Sequence, residues 1–194
     1  MARQDIPLRD GTLWLWEDFL TDTAAVLATL TAEVPWQQQH VRMFGRKTPM
    51  PRLTCWMGDP GCSYTYSGVR HAPTPWTPAV AELRQQVIAA TGTPLNSVLL
   101  NRYRSGRDAM GWHADDEPEL GPEPTIASLS LGAARRLDLA HRTHADERIR
   151  VVLSDGSLLV MAGTTQAHWK HRIPRTSRAI GERINLTFRR IHVP

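Results

Sequence analysis

The sequence predicts a mainly β protein of the α+β class, with a double-stranded β-helix (jelly-roll) core and supporting N-terminal helices. The chain of 194 residues is long enough to bury one sizeable core. Two helical patterns occur in its first half, and short strand patterns follow one another from Asn96 onward. The last of these, RINLTFRRI, is apolar on one side and polar on the other.

Both predicted helices have recognisable ends. The first runs from about Thr23 to Thr31, with Thr21 or Asp22 as its N-cap. The second follows the N-cap candidate Thr77, has a proline at its first position and stops at Gly92. Apolar residues recur along them at helical spacing, namely Ala24, Leu27 and Leu30, then Val80, Leu83, Val87 and Ile88. We therefore expect one face of each helix to cover a sheet.

Strand patterns occupy most of the second half of the chain. SVLLNRY is a short buried run, and TIASLSLG alternates imperfectly between large apolar and small residues. The segment RIRVVLSDGSLLVMAG predicts a β-hairpin with Asp155 and Gly156 at its turn. No repeat, low-complexity segment or linker composition is visible, so residues 1–194 are predicted to form a single domain.

The last strand separates apolar from polar side chains cleanly. Ile184, Leu186 and Phe188 point one way, and the opposite side carries Arg183, Asn185, Thr187 and Arg189. If the apolar side packs on a helix, the two arginines face the interior of the barrel. Buried arginines need anionic partners, because an unpaired buried charge is costly. A small anionic ligand would serve, and a pair of structural salt bridges is the alternative.

A metal site is suggested by the stretch GWHADDEPEL. His113 and Asp115 share one side of an extended segment, since side chains two residues apart point the same way. A later histidine would complete a site of two histidines and one carboxylate, and HWKHRIPR offers His168 and His171. Such a facial triad leaves three coordination positions open, as in non-haem Fe(II) oxygenases. An isolated H-x-D could equally be a solvated acidic loop.

The composition restricts the location and the partners of the protein. There is no apolar run long enough to cross a membrane and no signal-peptide pattern, so we expect a cytoplasmic protein with no membrane partner. Cys55 and Cys62 are expected to be reduced. The net charge of +4 comes almost wholly from arginine, which suits phosphate recognition, although a genome-wide preference for arginine would have the same effect.

Seven segments in order resemble the AlkB family of Fe(II)- and 2-oxoglutarate-dependent dioxygenases that remove alkyl groups from nucleic acids. The resemblance extends from about Val41 to Ile191 and is carried by VRMFG, PRLTCWMGD, YTYSG, LLNRYRSGRDAMGWHADDEPEL, PTIASLSLGAARRLDL, HWKHRIPR and RINLTFRR. It implies that His113, Asp115 and His171 bind the iron and that His168 is a structural neighbour. It further implies that 2-oxoglutarate is bound by Asn101, Tyr103, Arg183, Thr187 and Arg189, with O₂ as the second cosubstrate. Arg183 is expected on the carboxylate farther from iron.

The same resemblance implies a substrate site in the less regular first half of the chain. Its residues are expected to be Phe44, Arg52, Tyr64, Thr65, Tyr66, Asp116 and Glu117. Phe44 resembles the apolar finger of members that act on duplex DNA. Asp116 and Glu117 would favour a methylated base, because methylation at N1 of adenine or N3 of cytosine makes the ring cationic. The alternatives are a core phenylalanine, tyrosines that pack a sheet, a solvated Glu117 and a turn-capping Asp116.

The implied function is direct repair of N-alkylated bases such as 1-methyladenine and 3-methylcytosine in DNA, with RNA left open. Formaldehyde is released while 2-oxoglutarate becomes succinate and CO₂. The resemblance also implies that residues 1–95 hold the helices and a nucleotide-recognition lid, and that residues 96–194 form the catalytic core of a monomer. The alternatives are an oxygenase acting on a protein, lipid or small molecule, and a non-catalytic nucleic-acid-binding module.

Overall fold

The structure is a computed structural model that describes residues 2–43, 46–62, 64–66 and 69–192. Its first half contains β1 (Gln4–Ile6), β2 (Thr12–Trp16), α1 (Thr23–Glu33), β3 (His40–Met43), β4 (Arg46–Pro49), β5 (Leu53–Gly58), β6 (Tyr64–Tyr66), β7 (Val69–His71) and α2 (Pro78–Thr91). Its second half contains β8 (Ser97–Tyr103), β9 (Met110–His113), β10 (Ile126–Gly132), β11 (Arg135–His141), β12 (Arg148–Leu153), β13 (Leu158–Ala162), α3 (Thr165–His168), β14 (Trp169–Ile173) and β15 (Arg183–Arg189). A single 3-10 turn occupies Pro118–Leu120.

Two antiparallel sheets form the core of the molecule. The larger has seven strands in the order β1-β2-β13-β10-β15-β8-β5, and the smaller has four in the order β12-β11-β14-β9. One apolar cluster fills the space between the sheets, and a second lies between the larger sheet and the two long helices. The predicted mainly β architecture with a jelly-roll core is confirmed. No described helix is long and apolar enough to cross a bilayer.

The two long helices begin and end close to where the sequence places them. The Thr77 hydroxyl accepts a hydrogen bond from the Val80 amide, and Gly92 ends α2 in a left-handed conformation with φ of 67°. Helix α1 begins at Thr23 as predicted and extends two residues past Thr31. Residues of both helices belong to the same apolar cluster as Ile184, Leu186 and Phe188 on one side of β15. The polar side of β15 therefore faces the space between the sheets, as predicted.

The predicted hairpin around Asp155 and Gly156 is wrong. Strand β12 pairs with β11 in the smaller sheet, whereas β13 pairs with β10 and β2 in the larger one. The turn therefore carries the chain from one sheet to the other. It is held by non-local hydrogen bonds, since the Asp155 carboxylate accepts from the Gly132 amide and the Gly156 amide donates to the Ser130 carbonyl oxygen.

Three strands of the larger sheet come from the first 60 residues, where the sequence predicted none. Strand β2 pairs with β13, β1 pairs with β2, and β5 pairs with β8. In β2, Leu13 and Leu15 face the space between the sheets, while Trp14 and Trp16 pack on the helix side. The larger sheet is thus completed by the N-terminal part of the chain, and a boundary near residue 95 stays a prediction. Cys55 and Cys62 are both free thiols.

Candidate metal centre

Strand pairing brings the two candidate histidine ligands together. Strands β9 and β14 are antiparallel neighbours, and His113 lies directly opposite His171. Their ring centroids are 4.2 Å apart. Asp115 follows β9, and one of its carboxylate oxygens lies 3.8 Å from Nε2 of His171. One ligand atom from each of these three residues lies within 4.8 Å of the others, which is a separation that one metal ion can bridge.

Hydrogen bonds fix the orientation of two of these side chains. Nδ1 of His113 lies 2.9 Å from the Gly111 carbonyl oxygen, so its proton points there and Nε2 keeps its lone pair for a metal. Nη2 of Arg189 donates to one oxygen of the Asp115 carboxylate at 2.5 Å. The Asp115 amide donates to the side-chain oxygen of Gln166 at 2.9 Å. The other Asp115 oxygen is left facing His171.

The pKa values of the site favour metal binding at neutral pH. Burial alone would raise the pKa of Asp115, but Arg189 and the two histidines outweigh burial and lower it to about 2. Burial, with help from His113 and Arg189, lowers the pKa of His171 to about 3, and Asp115 only partly opposes them. Asp115 is therefore ionised and His171 is neutral near pH 7, which are the forms that bind metals.

His168 does not join the centre but lies in a second group with Asp10 and His141. Nδ1 of His141 accepts hydrogen bonds from the amides of Thr143 and His144. The proton of the neutral His141 ring is therefore on Nε2, which lies 3.3 Å from the Asp10 carboxylate. A ring in this tautomer offers no lone pair towards Asp10, so the geometry favours a polar contact there rather than a metal site. His171, and not His168, therefore lies with His113 and Asp115.

A narrow cavity of about 30 Å³ lies between the sheets beside the triad, and we call it the inner cavity. All five predicted cosubstrate residues line it, namely Asn101, Tyr103, Arg183, Thr187 and Arg189. Asn185, which was predicted on the polar side of the last strand, and Ser128, which was not predicted, also line it. Strand β15 supplies four of these side chains because every second residue points inward.

Arg183 is the main charge at the far end of the inner cavity. It is 1% exposed, and burial lowers its pKa to about 10. Its Nη2 donates to the Ser130 hydroxyl at 2.9 Å, whereas Nε and Nη1 are buried with no hydrogen-bond acceptor among the described residues. A buried cation with unused donors is a site where a carboxylate would be stabilised.

A wider cavity of about 350 Å³, the outer cavity, opens on the other side of His113 and Asp115. Arg52 and Glu117 line it, as the substrate assignment requires. It is also lined by residues that the sequence did not indicate, namely Gln37, Gln39, Thr54, Cys55, Trp56 and Thr74. Nε of Arg52 donates to the Asn101 side-chain oxygen at 2.6 Å. Since Asn101 lines the inner cavity, this hydrogen bond connects the walls of the two cavities.

The other predicted substrate residues lie in separate segments of the chain. Asp116 does not line the outer cavity, because its carboxylate accepts a hydrogen bond from Arg142 at 2.6 Å. Phe44 lies outside the described residues. Tyr64, Thr65 and Tyr66 form β6, which pairs with β7 just before Ala72 and Thr74 at the outer cavity. The substrate contacts of these residues stay predictions.

Trp112, to which the sequence assigned no chemistry, lies outside both cavities. The residue is 39% exposed, and the Arg172 guanidinium lies 4.5 Å from the centre of its ring. The side chain therefore covers a cation on the outer face of the smaller sheet rather than contributing to the centre.

Comparisons with known proteins agree with this geometry. Residues 12–189 match the model of the 2OG-Fe(II) oxygenase superfamily. The rat "Alpha-ketoglutarate-dependent dioxygenase alkB homolog 3" is 40% identical over 176 residues, covering 86% of this chain and 59% of that protein. The mouse "DNA oxidative demethylase ALKBH2" is 41% identical over 158 residues, covering 78% and 66% respectively.

A solved structure shares the fold. The structure described as that of OsALKBH1 superposes with a TM-score of 0.69 at 18% sequence identity, covering 96% of this chain and all of that one. The chain spans about 60% of the length of the curated relatives named alkB homolog 3. The overall fold is thus shared with that structure.

Proposed function

Because the chain belongs to the 2OG-Fe(II) oxygenase superfamily, and within it to the AlkB family, we propose that it demethylates damaged bases in DNA. The expected substrates are 1-methyladenine and 3-methylcytosine, and RNA is a second nucleic acid to be tested. The observation that carries the proposal is that two cavities of different character meet at the candidate centre, since His113 and Asp115 line both and His171 lines the inner one. The inner cavity offers a buried cation to an anion, and the outer cavity is large enough for a base.

The donor set fits Fe(II). His113, Asp115 and His171 would hold the ion through two imidazole nitrogens and one carboxylate oxygen, which leaves coordination positions for a cosubstrate and O₂. When bound, iron supplies the activation of O₂ that couples oxidation of the methyl group to decarboxylation of 2-oxoglutarate. Arg189, besides its proposed contact with 2-oxoglutarate, would hold the Asp115 carboxylate in place.

The inner cavity fits 2-oxoglutarate by charge. The two unused donors of Arg183 would bind the carboxylate farther from iron. Asn101, whose side-chain oxygen is occupied by Arg52, has its amide nitrogen free to donate into the cavity. Because the cavity is narrow, the cosubstrate would enter only with rearrangement of the side chains around it.

The outer cavity would hold the methylated base. Glu117 supplies a carboxylate that favours a cationic ring over a neutral one. Enclosure of the base beside His113 and Asp115 limits the access of water to the oxidation. In the overall reaction, the methylated base, O₂ and 2-oxoglutarate are converted to the unmodified base, formaldehyde, succinate and CO₂. No general base is needed from the chain.

The test is incubation of the protein with Fe(II), ascorbate, 2-oxoglutarate and methylated oligonucleotides in four forms, single- and double-stranded DNA and RNA. We expect formaldehyde and restored base in equal amounts with at least one DNA form, and none with the His171→Ala variant. Consumption of 2-oxoglutarate without repair of any form would contradict the proposed substrate and favour a protein, lipid or small molecule.

All three candidate ligands come from one chain, which supports the proposal that the active protein is a monomer. Light scattering of the iron-loaded protein, with and without an oligonucleotide, tests this. A dimer with activity that falls on dilution would contradict it. The cytoplasmic location stays a prediction.

A further inference from the structure

A basic groove lies beside the outer cavity. This groove, of about 660 Å³, is lined among others by Gln38, Met50, Arg104, Arg107 and Arg175, and we call it the arginine groove. Met50 lines both the groove and the outer cavity. Gln38 lies between Gln37 and Gln39, which line the outer cavity, so only a thin wall separates the two spaces.

The charge of the groove is largely uncompensated. Arg104 is paired with Asp108 at 2.7 Å. Arg107 and Arg175 are exposed, and no carboxylate of the described residues lies within salt-bridge distance of either. A second groove shares Arg175 with the first and continues it towards Arg178, which likewise pairs with no described carboxylate. A track of cations thus leads away from the outer cavity.

The walls of the groove are held in place by a different, buried arginine. Arg135 is 4% exposed and donates to the carbonyl oxygens of Asp108 and Pro174 at 2.9 and 2.7 Å. The Thr176 amide donates to the Gly106 carbonyl oxygen, and a Cβ on Gly106 would lie 2.7 Å from Thr176. The loop with Arg107 and the loop with Arg175 are therefore fastened together, which lowers the cost of ordering them around a ligand.

We propose that the arginine groove binds the phosphates of the nucleic-acid strand that flanks the base in the outer cavity. This inference rests on the proposed function. The planar guanidinium group of arginine can donate two hydrogen bonds to the oxygens of one phosphate. Such contacts position a strand but do not depend on its base sequence. The site is a track rather than a pocket for one phosphate, because the two grooves run on from the outer cavity through Arg175 to Arg178.

The test compares two double variants. Arg107→Gln/Arg175→Gln removes two charges from the groove, and Arg148→Gln/Arg150→Gln removes two from exposed positions on β12 that line neither groove. Binding of an unmodified single-stranded oligonucleotide is measured by fluorescence anisotropy at several salt concentrations. We expect the groove variant to bind more weakly, with a slope of log K against log salt that is smaller by about 1.4, about 0.7 for each lost phosphate contact. The β12 variant should show the same slope of log K against log salt as the protein without substitutions.

Demethylation is measured on the same variants. The groove variant should show a raised KM for the methylated oligonucleotide with an unchanged KM for 2-oxoglutarate, and Arg107→Lys/Arg175→Lys should recover most of the binding because the charge is kept. An unchanged salt slope in the groove variant, or an equal loss in the β12 variant, would overturn the inference. Failure of the proposed function would give a different result: the protein without substitutions would bind oligonucleotides through the groove but would demethylate none of them.

Discussion

Asp116 and Glu117 are adjacent acids in different surroundings. Glu117 lines the outer cavity, whereas Asp116 accepts a hydrogen bond from Arg142 and is half-exposed. We expect Glu117→Gln to lower kcat/KM for 1-methyladenine in DNA by about tenfold, or about 1.4 kcal/mol, because a neutral amide does not favour the cationic ring. Asp116→Asn is the matched control and should change kcat/KM by less than about twofold. Equal losses in the two variants, in steady-state assays, would refute the assignment of the base to Glu117.

His171 makes the stability of the metal-free protein depend on pH. Its pKa is about 3 in the folded protein, against an ordinary 6.5. Between these values the unfolded chain binds a proton that the folded protein does not, so stability falls as pH falls below about 6.5. Asp115, with its pKa lowered from 3.8 to about 2, adds a further loss below about pH 4.

We expect the free energy of unfolding in the presence of a chelator to fall by up to about 1.4 kcal/mol per pH unit between pH 6 and 4 from His171 alone. Denaturant titrations of His171→Gln should show a shallower pH dependence in this range. His40→Gln, which changes an exposed histidine on β3, should keep the original dependence. Parallel curves for all three proteins would show that His171 does not titrate as stated.

At the residue scale, the sequence could indicate the candidate ligands but not all of the residues around them. His113 and Asp115 are two residues apart, and alternation along a strand is enough to place them together. His171 could be preferred to His168 only through the resemblance to the AlkB family. The two histidines are close in sequence, and it is the pairing of β9 with β14 that places His171 opposite His113. Gln37 and Thr54 reach the outer cavity from distant segments, and no local pattern marks them.

The turn between β12 and β13 links the two sheets and depends on one glycine. Gly156 has a φ of 75°, and a Cβ there would lie 2.1 Å from the Leu20 carbonyl oxygen. Gly156→Ala should therefore lower the free energy of unfolding by more than the 1–2 kcal/mol, roughly, that the left-handed conformation alone costs. Gly92→Ala has a similar φ of 67° with open space around it and should cost only that amount. Equal costs by chemical denaturation would contradict the packing of this turn.

At the scale of elements, local sequence patterns predict individual helices and strands correctly, but they do not predict which strands pair with each other. Helix α2 and strand β15 were predicted because capping and alternation lie within the segments themselves. The segments around Asp155 and Gly156 look like a hairpin locally, but the hydrogen bonds that decide their partners come from β10 and β11. Strand β2, with the sequence TLWLW, is not predicted because both of its faces carry apolar side chains, so apolar and polar residues do not alternate along it.

At the scale of the whole molecule, the fold brings the inner cavity and the outer cavity together at His113 and Asp115, which line both. This arrangement predicts that metal and cosubstrate bind together. With Mn(II) in place of iron, 2-oxoglutarate at a hundredfold excess over its Kd should stabilise the protein by about 2.7 kcal/mol, or roughly 5–10 °C in Tm. It should have little effect without metal. Thermal denaturation measures both.

The matched variants for this experiment are Arg183→Met and Arg150→Met. Arg183→Met removes the buried guanidinium of the inner cavity and should abolish the shift in Tm caused by 2-oxoglutarate. Arg150→Met changes an exposed arginine on β12 and should leave the shift intact. A full shift in Arg183→Met would remove Arg183 from the cosubstrate site.

The proposed demethylation can be measured by mass spectrometry of a single-stranded DNA oligonucleotide that carries one 1-methyladenine. In the presence of Fe(II), 2-oxoglutarate and O₂, we expect loss of the methyl group, with one formaldehyde and one succinate formed per base restored. Omission of any one of the three, or the His113→Ala substitution in the triad, should leave the methyl group in place. If the oligonucleotide keeps its methyl group while the complete mixture turns 2-oxoglutarate into succinate, methylated DNA is not the substrate.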